Sequence, residues 1–302
     1  MKDYLMLVLA AVLLAGDFAL SKLYQRHAGT SLKAGFRFNA LLGLFTAVIF
    51  WAMGGFSLEI TLYSTLMAIA LSVLGMTYTL LGFRILKSGS MALYTLFLMV
   101  GGMTIPYVWG LLFLGEKDTM TPGSFWMRTA GLVVLIAAVA VSNIKPKGTK
   151  TNAGQILMCL GVFVLNGFVS VISKVHQVVT TPETVDATQF VMLSGVFKFL
   201  IAGVAYLIAA TAEKHKNPPD VIRPKQRIIL PLIALSAAVG GISYVLQLLG
   251  AANLPATVLY PFITGGSMVC STLVGIFAFR EKPSIGVIVG IALSFVGTLM
   301  FL

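Results

Sequence analysis

Charge is what this sequence has least of. Asp, Glu, Lys and Arg make up 10% of its 302 residues, against about 25% in a soluble domain. A water-soluble fold of that composition lacks the polar surface to enclose its core, so that class is excluded. Acidic residues are the scarcest: 10 Asp plus Glu stand against 21 Lys plus Arg, a net charge of +11. Only two cysteines occur, Cys159 and Cys270, both inside apolar runs, which excludes a disulfide scaffold. The three histidines, His27, His176 and His215, are unclustered and expected in loops. Without a metal-spaced His/Cys set, and without a phosphate-cradling Gly-Lys-Ser/Thr loop, no metal, nucleotide or other cofactor is expected. No potassium-filter signature occurs either.

Apolar length is what the chain has in abundance. Fifty-eight per cent is hydrophobic and mean hydropathy is +0.95, which excludes disorder. A helix needs roughly 20 apolar residues to cross the bilayer. Ten such runs are present, at 4–23, 34–53, 60–83, 90–114, 125–142, 154–175, 188–210, 228–249, 255–279 and 285–302. Barrel strands would be shorter and alternating. The expected fold class is therefore all-α integral membrane protein with ten transmembrane helices. The first run has the basic start of a signal peptide, but no small-x-small cleavage site follows, so it is read as an uncleaved helix.

Basic residues in the gaps report topology. Loops after the odd-numbered runs carry Arg26, Lys33, Arg84, Lys87, Lys145, Lys147, Lys150, Lys214, Lys216, Arg223, Lys225, Arg227, Arg280 and Lys282. The opposite side has little beyond Lys2, Lys117 and Lys174, with Arg128 near a helix start. This bias predicts odd loops in the cytoplasm and both termini extracytoplasmic, in a plasma or inner membrane. The lipid bilayer is then the partner of the net charge. No nucleic acid is expected, because no contiguous basic patch could track phosphates.

The chain repeats itself. Leu5-Met6 and Ser21-Lys22 recur as Leu157-Met158 and Ser173-Lys174, a shift of 152. The string IALS recurs from 69–72 to 233–236, a shift of 164. Gly101, Met103, Gly110 and Glu116-Lys117 recur as Gly266, Met268, Gly275 and Glu281-Lys282, a shift of 165. Residues 1–143 and 154–302 thus read as two five-helix repeats joined by a Pro-, Gly- and Lys-rich linker at 144–153. Five spans per repeat is an odd number, so the second repeat is inverted, an arrangement suited to alternating access around a midplane site.

On these motifs the chain resembles the ten-helix drug/metabolite transporter superfamily, specifically its EamA-type members. The resemblance rests on Gly16-Asp17-Phe18, Lys22 and Arg37, on Gly101-Gly102 through Gly115-Glu116, and on Gly265-Gly266 through Arg280-Glu281. Arg280 stands where such members usually have Gly. The resemblance implies a transporter rather than an enzyme, commonly an exporter. Such members look as if their termini are cytoplasmic, with basic residues between the second and third helices. Here that loop has none, and the charges point the other way.

Ionisable groups within spans are costly, at ~2.5–3.5 kcal/mol on insertion scales, and each is a functional candidate. Asp17 is a candidate substrate or proton-coupling carboxylate, and Lys198 a candidate anchor for an anionic group or a partner of Asp17. Asn39, Tyr78, Tyr94, Asn166, Tyr244, Gln247 and Tyr260 complete the candidate substrate-binding set, since amides and aromatics facing a cavity suit amphipathic solutes. Tyr78 with Tyr244, and Tyr94 with Tyr260, occupy corresponding places in the two repeats. Lys22, Lys174 and Arg37 are expected to snorkel at helix ends, and Glu116 and Glu281 to mark structural boundaries. The stripe Gly286, Gly290, Ser294 suits helix contact, within the chain or between subunits, in a monomer or homodimer.

These readings converge on a secondary transporter of small organic solutes (amino acids, metabolites or drugs), exporting by alternating access, with a proton gradient as a candidate drive. The alternatives are a lipid flippase, or a membrane-embedded enzyme or sensor without transport.

Overall fold

The computed structural model describes residues 2–29, 31–87, 91–143, 153–213, 226–280 and 282–302. The expected linker lies outside them except for Ala153, as do His215, Glu281 and most of the basic segment before the eighth helix. Ten helices follow in order: α1 (Lys2–Ala28), α2 (Leu32–Met53), α3 (Leu62–Lys87), α4 (Met91–Phe113), α5 (Pro122–Ser142), α6 (Ala153–Val178), α7 (Ala187–Glu213), α8 (Gln226–Asn253), α9 (Ala256–Phe279) and α10 (Ile285–Leu299). They match the ten apolar runs one for one. The first nine are long and apolar enough to span by themselves. The 15 residues of α10 reach about 22 Å at ~1.5 Å each, and a turn at 300–301 extends it. The protein is all-α with ten membrane-spanning helices.

Local chemistry sets the helix ends. Ser31, Thr121 and Ser284 accept from the backbone N–H of Ala34, Ser124 and Val287 at 3.1, 3.2 and 3.3 Å, satisfying donors that hydrocarbon cannot. Helix α1 runs past its apolar stretch to Ala28, with Arg26 and His27 in its last turn, where positive charge suits the helix dipole. Helices α4 and α9 end alike. Gly115 (φ 66°) and Arg280 (φ 53°) are both left-handed, and Gly110 and Gly275 accept from the backbone just beyond α4 and α9. Arg280 thus takes a conformation that glycine adopts at no steric cost, which accounts for glycine being usual there.

The burial pattern is inverted relative to a soluble protein. Leu62, Phe277 and Ile285 are more than three-quarters exposed, while Ser64, His176, Gln189 and Ser243 are buried. Large apolar side chains face lipid, and polar groups are satisfied inside.

The packing repeats when each helix is exchanged for the one five places along. Helix α1 packs on α8 and α9 as α6 packs on α3 and α4, and α2 on α8 as α7 on α3. The pairs α2–α7, α4–α9 and α5–α10 map onto themselves. This is the contact pattern of two inverted helical repeats. The halves interlock: most packing runs between them, so they are not side-by-side lobes.

The symmetry is not complete. Helix α8 packs on α6 and α7, but among the described residues α3 stands off from α1 and α2. Loops α2–α3, α4–α5, α6–α7 and α8–α9 share one face of the membrane, and the others share the opposite face. Helix α8 is thus packed against more of the bundle than its counterpart α3.

Glycines permit the closest crossings. A Cβ on Gly43 would lie 2.6 Å from the Phe199 nitrogen and 2.7 Å from the Gly195 carbonyl, and one on Gly195 would lie 2.7 Å from the Ala47 nitrogen. Gly286 and Gly290 lie as tightly against α5, at Val141 and Ala138, so the small-residue stripe of α10 is an internal contact. Gly43→Ala and Gly195→Ala should each destabilise the protein by ~1–3 kcal/mol, read as a lower thermal midpoint in detergent. Gly203→Ala, on the same α7 but facing open space, should not.

Candidate functional site

Asp17 lies midway along α1, and its carboxylate accepts from the Ser236 hydroxyl of α8. A cavity of about 150 Å³ opens beside it, lined by Asp17, Leu42, Thr46, Leu71, Ser194, Lys198, Ser236 and Tyr244, among others. A smaller space of about 40 Å³ adjoins Lys198 and is lined also by Asn39, Ser72, Tyr78 and Thr79. Lys198 therefore borders both. Asp17 and Lys198 are close enough for each charge to act on the other, without a direct ion pair among the described residues. Five helices supply this site, and the lining residues fall near the middle of each.

Backbone proximity explains the geometry. Gly240 and Gly241 bring α8 against α1 and α2. A Cβ on Gly240 would lie 2.9 Å from the Asp17 carboxyl carbon. Asn39 donates back to the Gly35 carbonyl at 2.9 Å, leaving its amide oxygen for the cavity.

The two tyrosine pairs form one row. Tyr94 lies within electrostatic reach of Tyr78, Tyr78 of Tyr244, and Tyr244 of Tyr260. The row reads the same from either end under the repeat exchange, so its centre lies where the repeats meet. The Tyr244 hydroxyl shares a 2.7 Å hydrogen bond with Ser173. Tyr260 donates to the Ser170 carbonyl at 2.6 Å. Tyr94 lies over Gly82, where a Cβ would come within 2.7 Å of its ring.

Of the nine candidates, Asp17, Asn39, Tyr78, Lys198 and Tyr244 line the two spaces. Tyr94, Asn166, Gln247 and Tyr260 line neither. Asn166 donates to the Leu98 carbonyl of α4 at 2.8 Å, and Gln247 to the Ser243 hydroxyl at 3.2 Å. Their amides join helices or turns. Ser236, Ser194 and Thr46 were not singled out from sequence. Small hydroxyls are common in membrane helices, and only the tertiary approach of α8 and α7 aims them here.

On its α8–α9 side the cavity is bordered by a packed cluster including Phe50, Leu71, Phe190, Val191 and Leu248. A buried polar knot backs it. His176 bonds Ser64 and Gln177, each at 2.9 Å, and stacks on Phe190 with centroids 3.7 Å apart. Ser64 also accepts from the Val185 N–H at 3.0 Å. His176 is thus fully buried in α6 and not in a loop, and His27 also lies on a helix, in α1. Helix α6 extends three residues past the expected end, carrying His176 inward.

Two apolar grooves lie on the outer surface. One, of about 720 Å³, lies between α1, α9 and α10 and includes Leu5, Val8, Phe262 and Phe295. The other, of about 500 Å³, includes Arg37, Leu200 and Tyr206. Arg37, expected to snorkel at a helix end, lines this outer groove and neither of the central spaces.

Comparison with known proteins gives a partial match to one family and a likeness of fold. Residues 168–302, under half of the chain, match the model of the EamA-like transporter family. No curated protein matches the chain in sequence. A crystal structure described only as that of a protein is similar over 99% of this chain and 95% of its own, with a TM-score of 0.74 and 17% identity. At that identity the likeness is one of fold.

Asn166→Ala should lower the thermal midpoint by the equivalent of about 1 kcal/mol, as expected for one interhelical amide bond. Ser124→Ala, at the exposed start of α5, should shift it less.

Proposed function

We propose, from the EamA-like transporter domain carried by residues 168–302, that the whole chain is a secondary transporter of small organic solutes. Residues 1–143 and 154–302 act as its two inverted repeats. The solute binds in the central cavity, which opens to each face in turn. Asp17, Asn39, Tyr78, Lys198 and Tyr244 contact it, and Tyr94, Asn166, Gln247 and Tyr260 hold the surrounding helices. The observation that carries this reading is a carboxylate and an ammonium lining one cavity at mid-membrane depth. Intramembrane charges at this cost mark solute or ion pathways.

The two charges favour solutes that carry both signs, such as amino acids, with an ammonium toward Asp17 and a carboxylate toward Lys198. The limited volume favours small ones. Asp17 is also the residue through which a proton gradient drives transport: it binds either a proton or the solute's positive group. The basic odd loops support a cytoplasmic placement for them, with export toward the α8–α9 face.

A lipid substrate is the second reading, favoured by the apolar groove between α1, α9 and α10. It differs in its test, since a lipid moves between leaflets without entering the lumen.

Reconstitution in proteoliposomes with a panel of zwitterionic, cationic, anionic and neutral solutes, with and without a pH gradient, separates these readings. Asp17→Asn should abolish gradient-driven accumulation and weaken downhill exchange of ammonium-bearing solutes more than of neutral ones, and unchanged uphill transport would reject proton coupling through Asp17. Lys198→Met should weaken transport of carboxylate-bearing solutes by about tenfold or more, the scale of one lost charge-assisted hydrogen bond.

A further inference from the structure

Helix α9 begins with a deficit. Its N-cap is Pro255, which has no side-chain acceptor, and no side-chain cap bond is formed locally. The missing acceptor comes from a distant segment. Glu116, just past the end of α4, accepts from the Ala256 N–H at 2.6 Å with one oxygen and from the Thr257 N–H at 3.0 Å with the other. The end of α8, two residues before α9, is held in the complementary way. Lys174 of α6 donates to the Ala251 and Leu254 carbonyls at 2.6 and 2.7 Å. A carboxylate thus meets a positive helix start and an ammonium a negative helix end.

Both charges are buried, Glu116 at 7% and Lys174 at 5% exposure. Lys174 does not snorkel: its Nζ turns inward to carbonyls at the end of α8 that lack a partner within the helix. Gly110 leaves room for the arrangement, since a Cβ there would lie 2.6 Å from a Glu116 carboxylate oxygen.

These bonds fall where the repeat symmetry is broken. Lys174 ties α6 to α8, a pair that packs together, while the equivalent pair α1 and α3 stands apart among the described residues. If the two repeats exchange conformations during transport, the α6–α8 contact is the one that is lost. The groups released lie at helix ends on one face, where water can replace each partner. Such a bond can open and reclose, unlike one at mid-membrane.

We propose that Glu116 and Lys174 form a latch that holds the α8–α9 hairpin shut over the central cavity, and whose release opens that face. The latch rests on the transport reading, but its test needs no solute. In a full-length Cys159→Ala/Cys270→Ala background, Leu42→Cys places one thiol in the cavity lining. A membrane-impermeant thiol reagent is applied from each side of proteoliposomes of known orientation. With the latch intact, labelling from the α8–α9 face should be slow. Glu116→Gln and Lys174→Met should each raise it about tenfold or more, because losing charge-assisted bonds shifts a two-state equilibrium by at least that factor. Labelling from the opposite face should fall or stay constant.

Gly110→Ala, which keeps both charges but displaces the carboxylate, should act in the same direction and serves if the charge variants fail to fold. Unchanged labelling from the α8–α9 face in folded variants, judged by a monodisperse elution profile, overturns the latch. An equal rise from both faces also overturns it, since that is general loosening. A protein that transports none of the solutes yet shows one-sided labelling changes would keep the latch and lose the assignment of solute.

Discussion

Hydrocarbon offers no hydrogen bonds, so every polar group in a membrane-spanning helix must be satisfied by protein or kept at a water-facing end. That constraint orders this structure. It puts Leu62, Phe277 and Ile285 outward toward lipid and Ser64, Gln189 and Ser243 inward. It makes Ser31, Thr121 and Ser284 close their own helix starts, and it makes α9, which starts on a proline, borrow the carboxylate of Glu116. It also makes any charge left at mid-depth conspicuous. Asp17 has the Ser236 hydroxyl and the field of Lys198, and both line the central cavity.

Close helix approach is the second requirement, and it follows from the first. Without a hydrophobic drive between helices in lipid, association depends on backbone contact and interhelical bonds. Gly43 and Gly195 let α2 and α7 touch backbone to backbone, and Gly240 and Gly241 let the α8 backbone close on the side chains of Asp17 and Phe50. The same glycines carry Ser236 to Asp17. Packing and site are therefore one feature at the centre of the molecule, and the tyrosine row crosses it where the repeats meet.

Much of the fold was legible in the sequence. Length and apolarity are local properties, so ten runs gave ten helices, with ends displaced by a few residues where polar turns continue a helix, as at Gln25–Ala28. Inversion follows from an odd number of spans per repeat. The site was legible in part. Asp17 and Lys198 stood out because charge in hydrocarbon is costly whatever the partner, and Tyr78 and Tyr244 because the repeat pairs them. Asn166 and Tyr260 carried the same polar signal yet turn to the backbone carbonyls of Leu98 and Ser170. His176 looked like a loop residue and is buried. Side-chain type reports that a partner is needed and is silent about which one is near.

Composition, periodic apolar length and duplication determined by themselves that this chain is a ten-helix membrane protein with inverted repeats, because those properties depend only on the chain's own transfer to lipid. Tertiary structure alone decided that the halves interlock, that α8 packs on α6 and α7 while α3 makes few close approaches to α1 and α2, and that Lys174 and Glu116 are buried. Those outcomes depend on which helix lies beside which. In two repeats of nearly equal sequence pattern, such a choice is made by packing between distant segments.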